Sequence, residues 1–193
     1  MKITKNFSFW EFGPKGCDRR WTPDNEQQRH LIEDLAKNLQ VLRDKARGST
    51  SIHITSGIRT PADFYRLQGA GYHPSATSDH FCGVAVPIGH DNPKHAKFGD
   101  TYNLSVGAGD CHIVGMSTLA FAKMAMEEYR SSNVDFGQII YERDPIRKCE
   151  WVHVSNAYRN YFSSRIVNWL DKTPFLQSLD GGKTYTVATG VQK

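Results

Sequence analysis

Between residues 22 and 47, apolar side chains recur at helical spacing: Leu31, Leu35, Leu39 and Leu42 form one stripe with charged residues on the other faces. That period predicts an amphipathic helix buried along the stripe. Thr22-Pro23 supplies a capping hydroxyl followed by proline where its missing N–H costs nothing, and Gly48-Ser49-Thr50 closes the segment. The pattern then changes to alternation. Ser51-Ile52-His53-Ile54-Thr55-Ser56 reads as a strand ended by Gly57, with Ile58-Arg59-Thr60 at its mouth. Thr60-Pro61 repeats the cap-plus-proline start and predicts a short helix to about Leu67. A second strand is expected over about residues 82–88.

Residues 89–114 are punctuated by Gly89, Gly99, Gly107 and Gly109 and read as an insertion loop with a short strand near 102–106. Ser117 caps a helix expected to run to about Tyr129. Residues 136–141 read as a strand, 142–148 as a charged turn and 150–155 as another strand. In that last strand Trp151, His153 and Ser155 share one face, and Val152 and Val154 the other. Phe162, Ile166, Trp169 and Leu170 suggest an amphipathic segment. The tail, residues 172–193, offers two short apolar runs around Asp180-Gly181-Gly182 and reads as a hairpin. Hung after a completed core, such a hairpin presents an edge open to pairing with another chain. The aromatic cluster Phe7, Phe9, Trp10 and Phe12 is expected to anchor the N-terminus on the core.

The order of elements predicts an α+β fold: a small antiparallel sheet flanked by helices, with one domain over residues 1–171 and a C-terminal extension over 172–193. A chain of 193 residues is long enough for a single sizeable core. The formal charge of +4 would favour an anionic partner, although solubility alone accounts for it; specific nucleic-acid binding is not expected. No apolar run reaches membrane-spanning length, and Met1 to Asn6 lacks the apolar centre of a signal peptide, so synthesis in a cytoplasm is expected. Cys17, Cys82, Cys111 and Cys149 form no CxxC pair, which argues against a zinc ribbon or redox motif. Free thiols are the simpler reading, with a Cys82–Cys149 link as the alternative.

Three polar positions converge if the strands form one sheet: Arg59 after the first strand, His80 before the second, and His153 in the last with Glu150 just upstream. These are the parts of a zinc hydrolase: imidazoles for the metal, a carboxylate to take a proton from the attacking water and a cation to steady the oxyanion.

Ser78-x-His80-x-x-Gly83-x-Ala85 resembles the SxHxxGxAxD motif of the zinc D-alanyl-D-alanine peptidases, the group of murein carboxypeptidases, vancomycin-resistance dipeptidases and phage endolysins whose fold is shared with the hedgehog signalling domain. Glu150-Trp151-Val152-His153 resembles the ExxH element of that family. Thr55-Ser56-Gly57-Ile58-Arg59-Thr60 resembles its SGYR segment, and Asn6-Phe7-Ser8 with Glu11-Phe12 resembles the opening of its phage-type subgroup. The resemblance implies that His80 and His153 are zinc ligands, Glu150 the general base, Arg59 the group that steadies the substrate carbonyl, and Ser78 a substrate-side residue. It places the third ligand, an aspartate, where this chain has Pro87. Asp91, four residues on, lies about 13 Å further along an extended strand, and His90 lies beyond a glycine turn.

Two imidazoles without a charged third ligand make a poor catalytic zinc site, so weak zinc binding or none is expected. The first functional expectation is therefore a catalytically degenerate protein of the zinc-peptidase fold, kept as a bacteriophage virion component (capsid, neck, tail or baseplate). Its partners would be other virion proteins, or copies of itself met through the C-terminal extension. The alternative is an active zinc murein peptidase cutting peptidoglycan stem peptides. A third reading is a module that grips those peptides without cutting them.

Overall fold

The first helix, α1 (Glu26–Lys45), starts at an Asn25 cap whose side chain accepts from the Gln28 N–H. This is later than the Thr22-Pro23 signal implied, because Asn25 is a stronger cap than threonine. Leu35, Leu39 and Leu42 are fully buried, as the leucine stripe required. The computed structural model describes residues 1–23, 25–46, 51–72, 74, 78–82, 107–156 and 175–188. Pro87, the strand expected at 102–106 and the amphipathic segment at 162–170 lie outside the described residues.

Two further helices follow, α2 (Pro61–Gly69) and α3 (Thr118–Arg130). Their caps are the ones read from the sequence: Thr60 accepts from the Asp63 N–H, and Ser117 from the Ala120 N–H. The strands are β1 (Ile52–Ser56), β2 (Ala108–Ile113), β3 (Phe136–Asp144), β4 (Cys149–Asn156), β5 (Leu176–Ser178) and β6 (Thr186–Val187). They form one sheet in the order β1-β2-β4-β3-β5-β6. All neighbours are antiparallel except β3 and β5. The α+β expectation holds at this level.

Four expectations need correction. Residues 107–114 are not part of an insertion loop: β2 is built from them and pairs with both β1 and β4. Cys82 does not open a strand; it closes the 3-10 turn Asp79–Phe81 in the left-handed conformation (φ 45°). Glu142, Arg143 and Asp144 continue β3 instead of forming a turn, because β4 supplies ladder partners out to Cys149. The tail hairpin does form, but it does not hang free of the core. β5 lies in parallel register on β3, pairing Ile140 with Leu176 and Glu142 with Ser178. All four cysteines are free thiols, with Cys82 buried and Cys149 exposed, which removes the Cys82–Cys149 link.

The two faces of the sheet have different tasks. Ile52, Cys111, Ile113, Ile139, Tyr141, Val152 and Val154 belong to a single buried cluster with the leucines of α1, Phe121, Ala122 and Ala125 of α3, and Phe7, Phe9 and Phe12. The opposite face carries His112 and Asp110 on β2, His153 and Trp151 on β4, and Glu142 on β3, as the pairing register dictates. Among the described residues no helix is long and apolar enough to cross a membrane.

Gly57 joins the core to this second face. A Cβ built there would come within bonding range of Phe12 O, while the Gly57 carbonyl accepts from His80 Nδ1 at 2.7 Å. The Ile58 N–H, next in the chain, donates to Phe12 O at 2.8 Å. Because the clash is with backbone, Gly57→Ala is expected to cost about 2–4 kcal/mol. Denaturant unfolding checks this; a loss below 1 kcal/mol would show that the Phe12 backbone can move aside.

Candidate metal centre

His80 is set by backbone on both sides. The 3-10 turn that holds it is capped by Ser78, and its carbonyl accepts from the Arg59 N–H at 2.8 Å. Since the Gly57 oxygen can only accept, Nδ1 of His80 carries the proton and Nε2 turns its lone pair to the sheet. There it meets Asp110 and His153, placed opposite each other by the β2–β4 register. His80 Nε2 lies 3.1 Å from Asp110 Oδ1 and 3.1 Å from His153 Nδ1, and the last two are 3.0 Å apart. These three atoms form a near-equilateral triangle of nitrogen, nitrogen and oxygen that could hold a metal ion.

The third donor is therefore Asp110, and the expectation of a two-histidine site is corrected. Asp110 stands 30 residues after His80 in sequence. The signal was Ala108-Gly109-Asp110, a small-x-acid run that repeats the AxD end of the family motif at the start of an alternating stretch. Matching that end at Ala85-Val86-Pro87 assumed an uninterrupted motif.

The electrostatics agree with the geometry. Burial alone would raise the Asp110 carboxyl, but the two imidazoles packed against its Oδ1, His80 first, hold it far below the usual carboxylate range. Burial pushes His80 down, favouring the neutral ring that can bind a cation. Burial acts the same way on His153, but the hydrogen bond and charge of Asp110 outweigh it and leave that ring raised.

Glu150 lines the same cleft but is not a member of the donor triangle. Three residues before His153 in a strand means the opposite face, and the helix side is where it points. It accepts from the Tyr141 hydroxyl at 2.6 Å, and this bond, with help from Thr118 at the start of α3, holds its carboxyl below the usual range. The carboxylate on the site face is Glu142, which the sequence reading assigned to a turn. It is paired in register with Trp151 and is 6 % exposed. Burial and the charge of Asp110 push its pKa up to about 7, against the opposing pull of His153 and Arg59.

This raised pKa has a consequence for the metal-free chain. Glu142 contributes most to stability below its unfolded pKa near 4.5, and that contribution is lost as pH rises through about 7. Glu142→Gln should therefore gain on the wild type between pH 5 and pH 8, by something on the order of 3 kcal/mol. Urea unfolding of chelator-treated protein at the two pH values measures it; a difference independent of pH would mean that Glu142 is not held in the buried position.

Arg59 is brought to the site as expected. Its guanidinium donates through Nη1 to Ser78 Oγ at 3.1 Å, and its Nε is buried with no hydrogen-bond partner among the described residues. Ser78 holds Arg59 and caps the turn, and it also lines the cleft. His53 lies apart from the donor triangle and stacks on His112, ring centroids 5.2 Å apart. The whole group opens into a cleft of about 1270 Å³ whose walls include Arg59, Arg66, Trp151, Gly182 and Tyr185. That is more than a single amino acid needs and suits a peptide chain.

No family model, curated protein or solved structure matches the chain.

Proposed function

We propose that this protein is a zinc-dependent peptidase of the D-alanyl-D-alanine type that cuts stem peptides of peptidoglycan. The observation that carries the reading is the third donor: Asp110 Oδ1 stands 3.1 Å from His80 Nε2 and 3.0 Å from His153 Nδ1. A tetrahedral zinc with nitrogen and oxygen ligands at about 2.0–2.1 Å has donor separations of about 3.3 Å, and the triangle is within a few tenths of an ångström of that. Two imidazoles and a carboxylate suit zinc in ligand type, and three protein ligands leave the fourth position open, as catalytic sites require. The His80 Nδ1–Gly57 bond is the outer contact that fixes a ligating histidine.

When bound, zinc would supply Lewis-acid polarisation of the scissile carbonyl and of the attacking water. The remaining work falls to the chain's own residues. Glu142, held in a buried site with its pKa near neutrality, takes the proton of the attacking water and returns it to the leaving amine. Arg59, immobilised by Ser78 and carrying a buried unpartnered N–H, steadies the oxygen that gains charge. The basic side chains Arg59 and Arg66 on the cleft wall suit a peptide that carries carboxylates.

The expectation of a degenerate virion part rested first on Pro87, with the tail hairpin, an ordered C-terminus and the missing signal peptide beside it. Asp110 offers the donor that Pro87 lacks, which favours the peptidase reading; β5 pairs with β3, while β6 remains the outer strand of the sheet. The test is direct. Zinc-loaded protein is incubated with purified peptidoglycan stem peptides and the products are read by mass spectrometry. Cleavage at a D-alanyl bond that stops on chelation is the expected result; intact peptides in the presence of bound zinc would refute the proposal.

A further inference from the structure

The C-terminal hairpin brings a residue to the site that the reaction above does not use. β5 runs parallel to β3 with Ser178 opposite Glu142, so the chain after Ser178 passes over the cleft. That passage is built rigidly. Asp180 Oδ1 accepts from Ser178 Oγ at 2.9 Å and from the Lys183 and Thr184 N–H groups at 3.0 Å each, and Oδ2 accepts from Thr184 Oγ1 at 2.6 Å. The Gly182 N–H donates to Ser178 Oγ at 2.9 Å, and the Gly181 N–H to Arg143 O at 3.0 Å. Such a turn holds the next residue, Tyr185, in one place.

That place is the cleft wall near Glu142. A Cβ built on Gly182 would lie 3.1 Å from the Tyr185 hydroxyl and 3.2 Å from Glu142 Oε2, so the two groups flank one glycine. Gly182 sits at φ 82°, where any side chain would be strained and would also fill the gap between them. The Tyr185 hydroxyl makes no hydrogen bond among the described residues, and the residue is 49 % exposed and lines the cleft. A phenol without a hydrogen-bond partner among the described residues, near the Glu142 carboxylate, gains nothing for the fold from its hydroxyl. It is available to a ligand.

We propose that Tyr185 is a substrate-contacting residue, whose hydroxyl donates a hydrogen bond to the peptide oxygen that takes negative charge during cleavage, from the wall of the cleft formed by the C-terminal hairpin. This rests on the peptidase reading. The phenol keeps its proton throughout, since burial and the charges of Glu142 and Asp110 raise its pKa further; it acts as a donor and not as a base. The C-terminal extension is then part of the catalytic cleft, with its turn serving to aim one side chain.

Tyr185→Phe removes only the hydroxyl. In zinc-loaded protein, kcat on a peptide ending in D-alanyl-D-alanine should fall about 10- to 100-fold, with KM within twofold, zinc affinity unchanged and thermal midpoint unchanged. Calorimetry supplies a readout apart from turnover: a phosphinate analogue of the tetrahedral D-alanyl-D-alanine intermediate should lose the same factor in affinity. Unchanged kcat and unchanged phosphinate affinity, in a series whose wild type cleaves the peptide, would overturn the assignment of Tyr185 alone. A kcat loss matched by lower zinc affinity or a lower thermal midpoint would overturn it in favour of a structural role. If zinc-loaded wild type neither cleaves the peptide nor binds the phosphinate, the peptidase reading falls and this inference with it.

Discussion

Asp110→Asn should abolish zinc binding at micromolar metal, lowering affinity by at least about 100-fold, and hydrolysis of stem peptides should disappear with it. The reasoning is electrostatic as much as geometric. Asp110 supplies the only carboxylate of the donor triangle, and its Oδ1 contacts both imidazoles at 3.0–3.1 Å. Loss of an outer-shell partner alone costs about 10- to 100-fold in metal affinity, and a direct anionic ligand is worth more. Asparagine keeps the size and one oxygen, so the fold should persist, as circular dichroism of the variant would show. The companion variant Pro87→Asp should leave zinc affinity where it is, because the aspartate position is already filled from β2. Retention of stoichiometric zinc by Asp110→Asn, or a marked rise in affinity in Pro87→Asp, would return the third ligand to the uninterrupted motif.

Glu142→Gln should lower kcat by about 10²–10⁴, the usual worth of a positioned general base, while zinc still binds. Glu150→Gln should leave kcat within about threefold of wild type and lower the thermal midpoint by a few degrees. The two carboxylates separate because β4 alternates. His153 and Trp151 point to the cleft and Trp151 faces Glu142, whereas Glu150 accepts from Tyr141, a member of the core cluster on the helix side. Steady-state rates and metal content of both variants decide the matter. A large kcat loss in Glu150→Gln with Glu142→Gln unaffected would mean that β4 twists or bulges in the zinc-loaded protein and exchanges the two faces.

Much of the scaffold was legible in the sequence because it follows local rules. The leucine period of α1, the Thr60 and Ser117 caps and the alternation around His153 each name a structure from a few adjacent residues. Arg59, His80 and His153 were legible for the same reason, since each sits in a short motif at the end or middle of an element. Asp110 was not, because its role depends on a β2–β4 pairing that joins residues far apart in sequence. A long separation from His80 hid it behind a local match that ended in Pro87. Glu142 was missed through a boundary: its charged neighbours Arg143 and Asp144 suggested a turn, while the partner strand extends the ladder past them. The tail hairpin was visible, but its destination was not, since nothing in residues 175–188 specifies parallel pairing with β3. Tyr185 gains its meaning only from that pairing.

The most direct measurement is a crystal structure of the zinc-soaked protein, with an anomalous difference map collected at the zinc absorption edge. One peak is predicted, bonded to His80 Nε2, Asp110 Oδ1 and His153 Nδ1, with its remaining position open to the cleft that holds Glu142 and Tyr185. A peak bound elsewhere, a site in which Asp110 stands away from the metal, or no peak at saturating zinc would contradict the account.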